Sequence, residues 1–387
     1  MKSIPAQHAP HSAAWAETPR PQPRHRGGNA TSAKRERPVR TAASHSAILP
    51  VCIESPACGK PSTAPAAIER DLRADPHITM MRAMPAPTPS IELFDRAGLR
   101  RRRDRAAPGF SGFDFLVRRA AEDVIDRIAA ANRNFGIAAD LGCHQGALAR
   151  AAEARGIEEG KIGFLVSADM SLPMLRHAPA PRLVADEEML PFAHASLNLA
   201  TSILSLHAVN DLPGALVQIR RALKPDGLFM AAMFGGETLT ELRQSLAAAE
   251  IEVEGGLSPR VAPFADLRDI GALLQRAGFA LPVADTDRVT VRYRDPFRLM
   301  ADLRGMGETN VMTERRRTPL KRSTLMRAAE IYREKFGLAD GRVPATFDIV
   351  IATGWAPHES QQKPLRPGSA EARLADALGT PEGKLRG

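Results

Sequence analysis

The sequence predicts an α/β protein. The expected form is a three-layer sandwich built on a mostly parallel seven-stranded sheet, with a late antiparallel strand and a helical insertion. Three observations carry this. From Phe135 onward, short apolar runs alternate with amphipathic segments of helical spacing. A glycine-bearing turn within "AADLGCHQGALARAA" joins the first run to the first helix of the alternation. Each of the first three runs ends on an acid: Asp140, Asp169 and Asp186. Buried runs alternating with helices argue for parallel strands linked by right-handed crossovers.

Residues 1–89 lie outside that pattern. They hold 12 Lys+Arg against 6 Asp+Glu, 14 of the 31 prolines and 5 of the 10 histidines. Such a composition buries too little apolar surface to offset its ordering entropy, so it reads as a disordered leader. An Arg-rich, acid-poor transit peptide is the competing reading. The favoured one is a start codon placed too early, with Met80, Met81 or Met84 as the true start.

The folded part is expected over 90–356. "FDFLVRRAAEDVIDRIAAANRNF" places Leu116, Val117, Ala120, Val124 and Ile128 on one helical stripe. The strands read are "GIAADLG", "IGFLVSAD", "PRLVAD", "LNLATSILSL" and "LFMAAMFGG". Between them lie the helices "GALARAAEARG", "SLPMLRHA" and "LPGALVQIRRAL", and a Pro-Asp-Gly turn precedes the fifth strand. "PFADLRDIGALLQRAGFAL" reads as a helix ending at Gly278. "VADTDRVTVRY" and "PATFDIVIATGW" alternate as strands on the same sheet. The insertion between them, about 295–340, holds "DPFRLMADLRGMG" and "RSTLMRAAEIYREKFG". Residues 357–387 read as a polar tail.

Composition excludes several classes. No run approaches the roughly 18 apolar residues that cross a bilayer, so an integral membrane protein is not expected, and the N-terminus lacks an apolar secretory region. Three scattered cysteines suit a reducing compartment, with neither a disulfide framework nor a structural metal. The net charge of +9 divides into +6 in the leader and +3 elsewhere. The folded part should steer anions weakly, and no nucleic-acid partner is expected. The run "LRRRRDR" reads as a solvated helix end in preference to a contact for an acidic partner.

The glycine turn and the acids carry the chemistry. Gly142 and Gly146 let backbone approach a ligand without a Cβ in the way, and the helix that follows offers free N–H groups. The dinucleotide fingerprint G-x-G-x-x-G is absent. Asp140, two residues before Gly142, suits instead a loop that seats the amino-acid part of S-adenosylmethionine (SAM). Asp169 can accept both ribose hydroxyls, and Asp186, with Glu187 beside it, can accept from the adenine amino group. All lie where open α/β sheets bind ligands. His144 stands where a second glycine would be usual. It either blocks the pocket or is tolerated at φ > 0, pointing out or touching the methionine carboxylate. Tolerance is preferred, and on that reading His144→Gly leaves SAM affinity intact or better.

The chain from about Leu93 to Pro364 resembles the mitochondrial complex I assembly factor 5 family and its bacterial relatives. The likeness runs through "LFDR", "LVADEEMLPF", "SILSLHAVNDLP", "LKPDG", "AMFGGETLTELR", "EGGLSPRVAPF", "LLQRAGF", "DLRGMGETN", "VPATF" and "GWAPHESQQKP". A more distant likeness is to the malonyl-carrier-protein methyltransferase of biotin synthesis. The resemblance implies a class I SAM-methyltransferase, Rossmann-like fold, with Asp140, Gly142, His144, Gly146, Asp169, Asp186 and Glu187 around SAM. It also implies a respiratory complex I subunit as partner. The location implied is the cytoplasm of a bacterium or the mitochondrial matrix of a eukaryote. In the family pattern a glycine stands where His144 is.

Three function classes follow. Methyl transfer needs alignment and a dry pocket more than an acid or base. Ser205, His207 and Asn210, after the fourth strand, are the residues placed to orient an acceptor. His207 and Asn210 are the catalytic candidates, with His207 as a base; packing against backbone is the alternative for His207. Arginine hydroxylation rests on the resemblance alone. The sequence has no H-x-D pair, and the spacing of His207, His358, Glu308 and Glu359 does not specify an iron site. The third class is a non-catalytic assembly chaperone docking through "GGETLTELR" and "DLRGMGETN". SAM-dependent methyl transfer is placed first; substrate and oligomeric state do not follow from the sequence.

Overall fold

The structure, a computed structural model, describes residues 92–157, 160–362 and 379. The expectations for the leader, for its three methionines and for most of the polar tail lie outside the described residues. Within them the sheet has seven strands, ordered β3-β2-β1-β4-β5-β7-β6. They are β1 Phe135–Leu141, β2 Ile162–Asp169, β3 Arg182–Val184, β4 Leu197–Ile203, β5 Leu223–Phe234, β6 Ala280–Tyr293 and β7 Val343–Trp355. The first five pair in parallel. β7 runs antiparallel to both β5 and β6.

The period of two along each strand builds a core on either face. Ala138, Leu199 and Met230 face one core, while their neighbours Ala139, Ala200 and Phe229 face the other. The first core takes the stripe of α2 (Phe115–Ala130), with Leu116, Val117, Ala120, Val124 and Ile128 all buried as the spacing predicts. It also takes Leu148 of α3 (Ala147–Arg155) and Leu242 and Leu246 of α6 (Thr240–Glu254). The second core receives Leu216 and Ile219 of α5 (Leu212–Ala222) and Ile270 and Leu274 of α7 (Leu267–Arg276). Each such side chain contributes about 1.5–3 kcal/mol through burial.

Between β6 and β7 lie α8 (Pro296–Met306) and α9 (Arg322–Phe336). Leu299, Leu303, Ile331 and Tyr332 from these helices enter the first core. In front of α2, helix α1 (Arg96–Ala106) starts at Asp95, whose carboxylate accepts from the Gly98 N–H at 2.7 Å. Ala106 at its end joins the first core, and the rest of its apolar attachment is a small separate cluster in which Phe94 and Leu99 meet Met170, Ala208, Val311 and Met312. A four-residue helix α4, Leu172–Leu175, follows β2 and is capped by Ser171.

Three details depart from the sequence expectation. β3 stops at Val184, so Asp186 and Glu187 stand in the turn beyond it. β5 begins before the Pro-Asp-Gly turn, which becomes an irregularity inside it: Asp226 takes φ 64° and the register with β4 slips. Helix α6 is an element the sequence reading did not place.

Candidate functional site

The site forms where β1 and β4 part. The chain leaves β1 toward β2 on one side, while β4 lies on the other, and a crevice at such a point is where open α/β sheets bind ligands. Asp140 sits one residue before the end of β1 and is 1% exposed. It accepts from Thr201 Oγ1 at 2.9 Å. Burial, with Asp169 adding like charge, pushes its carboxyl up to about 7.

The turn then needs its glycines. Gly142 has φ 66°, and a Cβ there would collide with Ser205 and come within 2.7 Å of Glu187 Oε1. Gly146, φ 77°, caps α3, and a Cβ there would collide with Pro179. The left-handed conformation and the lack of room together require glycine at both positions.

His144, between them, takes φ 52°. It does not point out to solvent, as one form of the tolerance reading had it: it is 1% exposed. Its ring stacks on Phe110, centroids 5.3 Å apart, and its Nε2 lies 3.0 Å from the Ile203 carbonyl. Burial and the nearby Arg103 cation push its pKa down to about 4, so the ring is neutral at physiological pH. Its backbone N–H donates to Asp169 Oδ2 at 3.0 Å. The main chain of His144 thus shapes the site while the ring serves packing.

Asp169 ends β2 and is fully buried. Its second oxygen accepts from the Ser171 N–H at 2.8 Å. Burial pushes its carboxyl up to about 6 against the pull of Arg103. Of the two acids after β3, Asp186 is 38% exposed on its side chain while Glu187 is 2% exposed. The inward acid is therefore Glu187. Ser205 Oγ and Arg96 both donate to it. Arg103 and Arg96 overcome the burial penalty and hold its carboxyl down to about 2. Asp186 pairs with the same Arg96 at 2.5 Å.

The solvated-helix reading of "LRRRRDR" fails at one residue. Arg103 is 1% exposed and lies inside the acid cluster. Its Nη2 donates to Ser205 Oγ at 2.8 Å, and its Nη1 lies 3.4 Å from Glu187 and 3.5 Å from Asp169. Arg96 and Arg103 are the site residues the sequence reading missed. A signal for them existed. Arg96, Leu99, Arg103 and Ala106 follow helical spacing, and Leu99 and Ala106 are the apolar members of that buried stripe.

The catalytic candidates separate. Asn210 accepts from the Phe94 N–H at 2.7 Å and donates to the Phe94 carbonyl at 3.1 Å. Its amide is spent fastening the segment that leads into α1. His207, 4% exposed on its side chain, brings Nε2 to 3.2 Å from Glu308 Oε2 in the α8–α9 connection. Its ring tilts against Phe234 and Phe264, and its Nδ1 is buried without a hydrogen-bond partner. Burial raises the Glu308 carboxyl, but its pairing with His207 and the nearby Arg103 outweigh that and hold it below the usual carboxylate value. Both residues line a cavity of about 340 Å³ with largely aliphatic walls, among them Leu239, Leu242, Met300 and Leu303. His358 is elsewhere, bonded to Ser360 at 2.7 Å. Among the described residues no three His, Cys, Asp or Glu side chains are arranged to hold a metal, and no helix is long and apolar enough to cross a membrane.

Comparison with known proteins adds to this geometry. Residues 139–231 match the model of a methyltransferase domain. The chain is 44% identical over 294 residues to the arginine-hydroxylase NDUFAF5, mitochondrial, of Homo sapiens, covering 74% of this chain and 84% of that protein. It is 42% identical over 288 residues to the Danio rerio protein of the same name, covering 74% and 89%. It is 32% identical over 284 residues to a malonyl-[acyl-carrier protein] O-methyltransferase of a Methylovorus species, covering 70% and 92%.

Proposed function

The chain belongs to the family of the mitochondrial arginine-hydroxylase NDUFAF5 proteins and carries its methyltransferase domain, and on that premise we propose that it is a methyltransferase whose methyl donor is SAM. The observation that supports this reading is the set of buried acids, Asp140, Asp169 and Glu187, around a left-handed glycine turn at the parting of β1 and β4. Burial pushes the carboxyls of Asp140 and Asp169 up, to about 7 and about 6. A polyhydroxylated, cationic nucleoside offers such carboxylates what they lack. Asp169 and Glu187 would hold it by their oxygens, with the Gly142–Gly146 turn beside them. When bound, SAM supplies an electrophilic methyl group.

The chain's own residues do the rest. The aliphatic cavity beside His207 positions the acceptor and excludes water. Glu308, kept ionised, accepts from the Nε2–H of His207 and so fixes the lone pair on Nδ1. His207 then takes the proton that the acceptor gives up on methylation.

Equilibrium dialysis of the purified protein with labelled SAM tests the reading. Saturable binding, lost in Asp169→Asn and in Glu187→Gln, is the expected result; absence of binding overturns it. The 42–44% identity to arginine hydroxylases supports a second reading, hydroxylation of an arginine in a respiratory complex I subunit. Mass spectrometry of complex I subunits made with and without this protein separates the two. A gain of one methyl supports transfer, and a gain of one oxygen on arginine supports hydroxylation.

A further inference from the structure

The cradle proposed for SAM holds a cation of the chain's own, and it holds that cation more by charge than by hydrogen bonds. A buried arginine kept as a structural ion pair is expected to make paired hydrogen bonds of about 2.7–2.9 Å to its carboxylates. Arg103 makes one short bond, to the Ser205 hydroxyl at 2.8 Å. Its distances to Asp169 and Glu187 are 3.5 and 3.4 Å, and its Nε is buried with no partner. Contacts this long give up little hydrogen bonding when they break, and what an incoming group must replace is their charge compensation of the buried acids. The carboxylates are meanwhile committed elsewhere. Asp169 accepts from the His144 and Ser171 N–H groups, and Glu187 from Arg96 and Ser205. The cradle is shaped by backbone N–H groups, Arg96 and Ser205, and Arg103 joins it through one short hydrogen bond.

The element that delivers Arg103 has few apolar anchors. Helix α1 buries only Gly98, Leu99, Arg103 and Ala106. Its apolar anchor is the small cluster of Phe94 and Leu99, separate from both main cores, joined by Ala106 at its C-terminal end, which reaches the first core. The remainder of its hold is polar: Arg96 to Asp186 and Glu187, Asp95 to Arg315 at 2.8 Å, Asp104 to the Ser171 hydroxyl at 2.6 Å, and Asn210 to the Phe94 backbone. Elements with few buried apolar contacts open at low free energy.

We propose that Arg103 is an exchangeable plug of the acid cradle and that α1 is its lid: the guanidinium leaves Asp169, Glu187 and Ser205 when the cofactor enters. This rests on the SAM reading. The exchange places a cationic nucleoside where a cation was, so the buried acids stay compensated. S-adenosylhomocysteine, lacking the sulfonium charge, compensates them less and favours return of Arg103. Because only the open form is competent, the apparent affinity of the wild type is lowered by the fraction of molecules that are open.

Isothermal titration of the full chain with SAM and with S-adenosylhomocysteine, on wild type, Arg103→Met and Arg103→Lys, tests this. Hydrogen exchange of wild-type α1 amides accompanies it. Expected are several-fold tighter SAM binding in Arg103→Met, an intermediate value in Arg103→Lys, and faster exchange across residues 96–106 of the wild type at saturating SAM. Binding to Arg103→Met alone also supports the plug. Weaker binding in Arg103→Met than in wild type makes Arg103 a ligand of the cofactor and overturns the plug while leaving the SAM reading intact. Slower α1 exchange with SAM overturns it without recourse to any variant. No binding to either protein overturns both.

Discussion

At the scale of single residues, the site is a balance between buried acids and the few groups that compensate them. Asp140 shows the imbalance, with its carboxyl pushed up to about 7 and a single hydroxyl donor, Thr201. A folded-state pKa above the unfolded value means that the native state holds the proton more tightly. The resulting stability is complete below about pH 4 and is lost as pH rises through 7. Asp140→Asn keeps the acceptor for Thr201 and removes the ionisation. Urea denaturation at pH 5 and pH 8 should show the variant gaining on the wild type by on the order of 2 kcal/mol across that interval. A pH-independent difference would contradict this account of the carboxyl. His144 makes the complementary case. Replacing it with glycine relieves φ 52°, worth about 1 kcal/mol, but removes the ring stacked on Phe110 and bonded to Ile203. A net stability loss of about 1–3 kcal/mol is expected, with SAM affinity in equilibrium dialysis unchanged. Placing single residues from the sequence worked where near neighbours decide the position. Asp140, Gly142, Gly146 and Asp169 each sit at a strand end or turn that their own neighbours define. It failed for Arg103, whose partners Asp169 and Glu187 lie 66 and 84 positions away. A run of four arginines looks uniformly solvated until one turns inward on the Leu99 stripe.

At the scale of elements, legibility followed the strength of start and stop signals. β1, β2, β4, α5 and α7 lie close to where their apolar periodicity puts them, and Asp211 and Asp266 cap the two helices through their side chains. Helix α6 has no such signal. Its N-cap is Leu239 in a left-handed conformation with no capping side chain, so "TLTELRQSLAAAEIEVE" lacks a marked beginning. Only Leu242, Leu246 and Ala249, meeting the sheet, show that it is a helix. The role of Asn210 was also hidden. A polar residue just after β4 suggests chemistry, yet its amide clasps Phe94, 116 positions earlier. Asn210→Ala removes both bonds at about 0.5–1.5 kcal/mol each. The loss should appear as faster hydrogen exchange across α1, with the global unfolding midpoint little changed. Reduced turnover with α1 exchange unaltered would return Asn210 to the chemistry.

At the scale of the whole molecule, the sheet order places the acid cradle and the aliphatic cavity next to each other but builds them from distant parts of the chain. The cradle comes from the first half of the sheet. Glu308 belongs to the insertion between β6 and β7, and meets His207 only because α8 packs on the same core as α2 and α6. That assembly predicts a division of labour. Glu308→Gln leaves Asp169, Glu187 and the glycine turn untouched, so SAM affinity measured by titration should hold. The amide of glutamine no longer offers a carboxylate to the Nε2–H of His207, so the ring loses its anionic partner. General-base assistance is worth about 10²–10⁴ in rate. Turnover in Glu308→Gln should therefore fall by about tenfold or more, with the KM for SAM unmoved, once an acceptor is in hand. An unchanged turnover would reduce the His207–Glu308 pair to a packing contact in the wall of the cavity, and the methyl acceptor would then need no base from this chain.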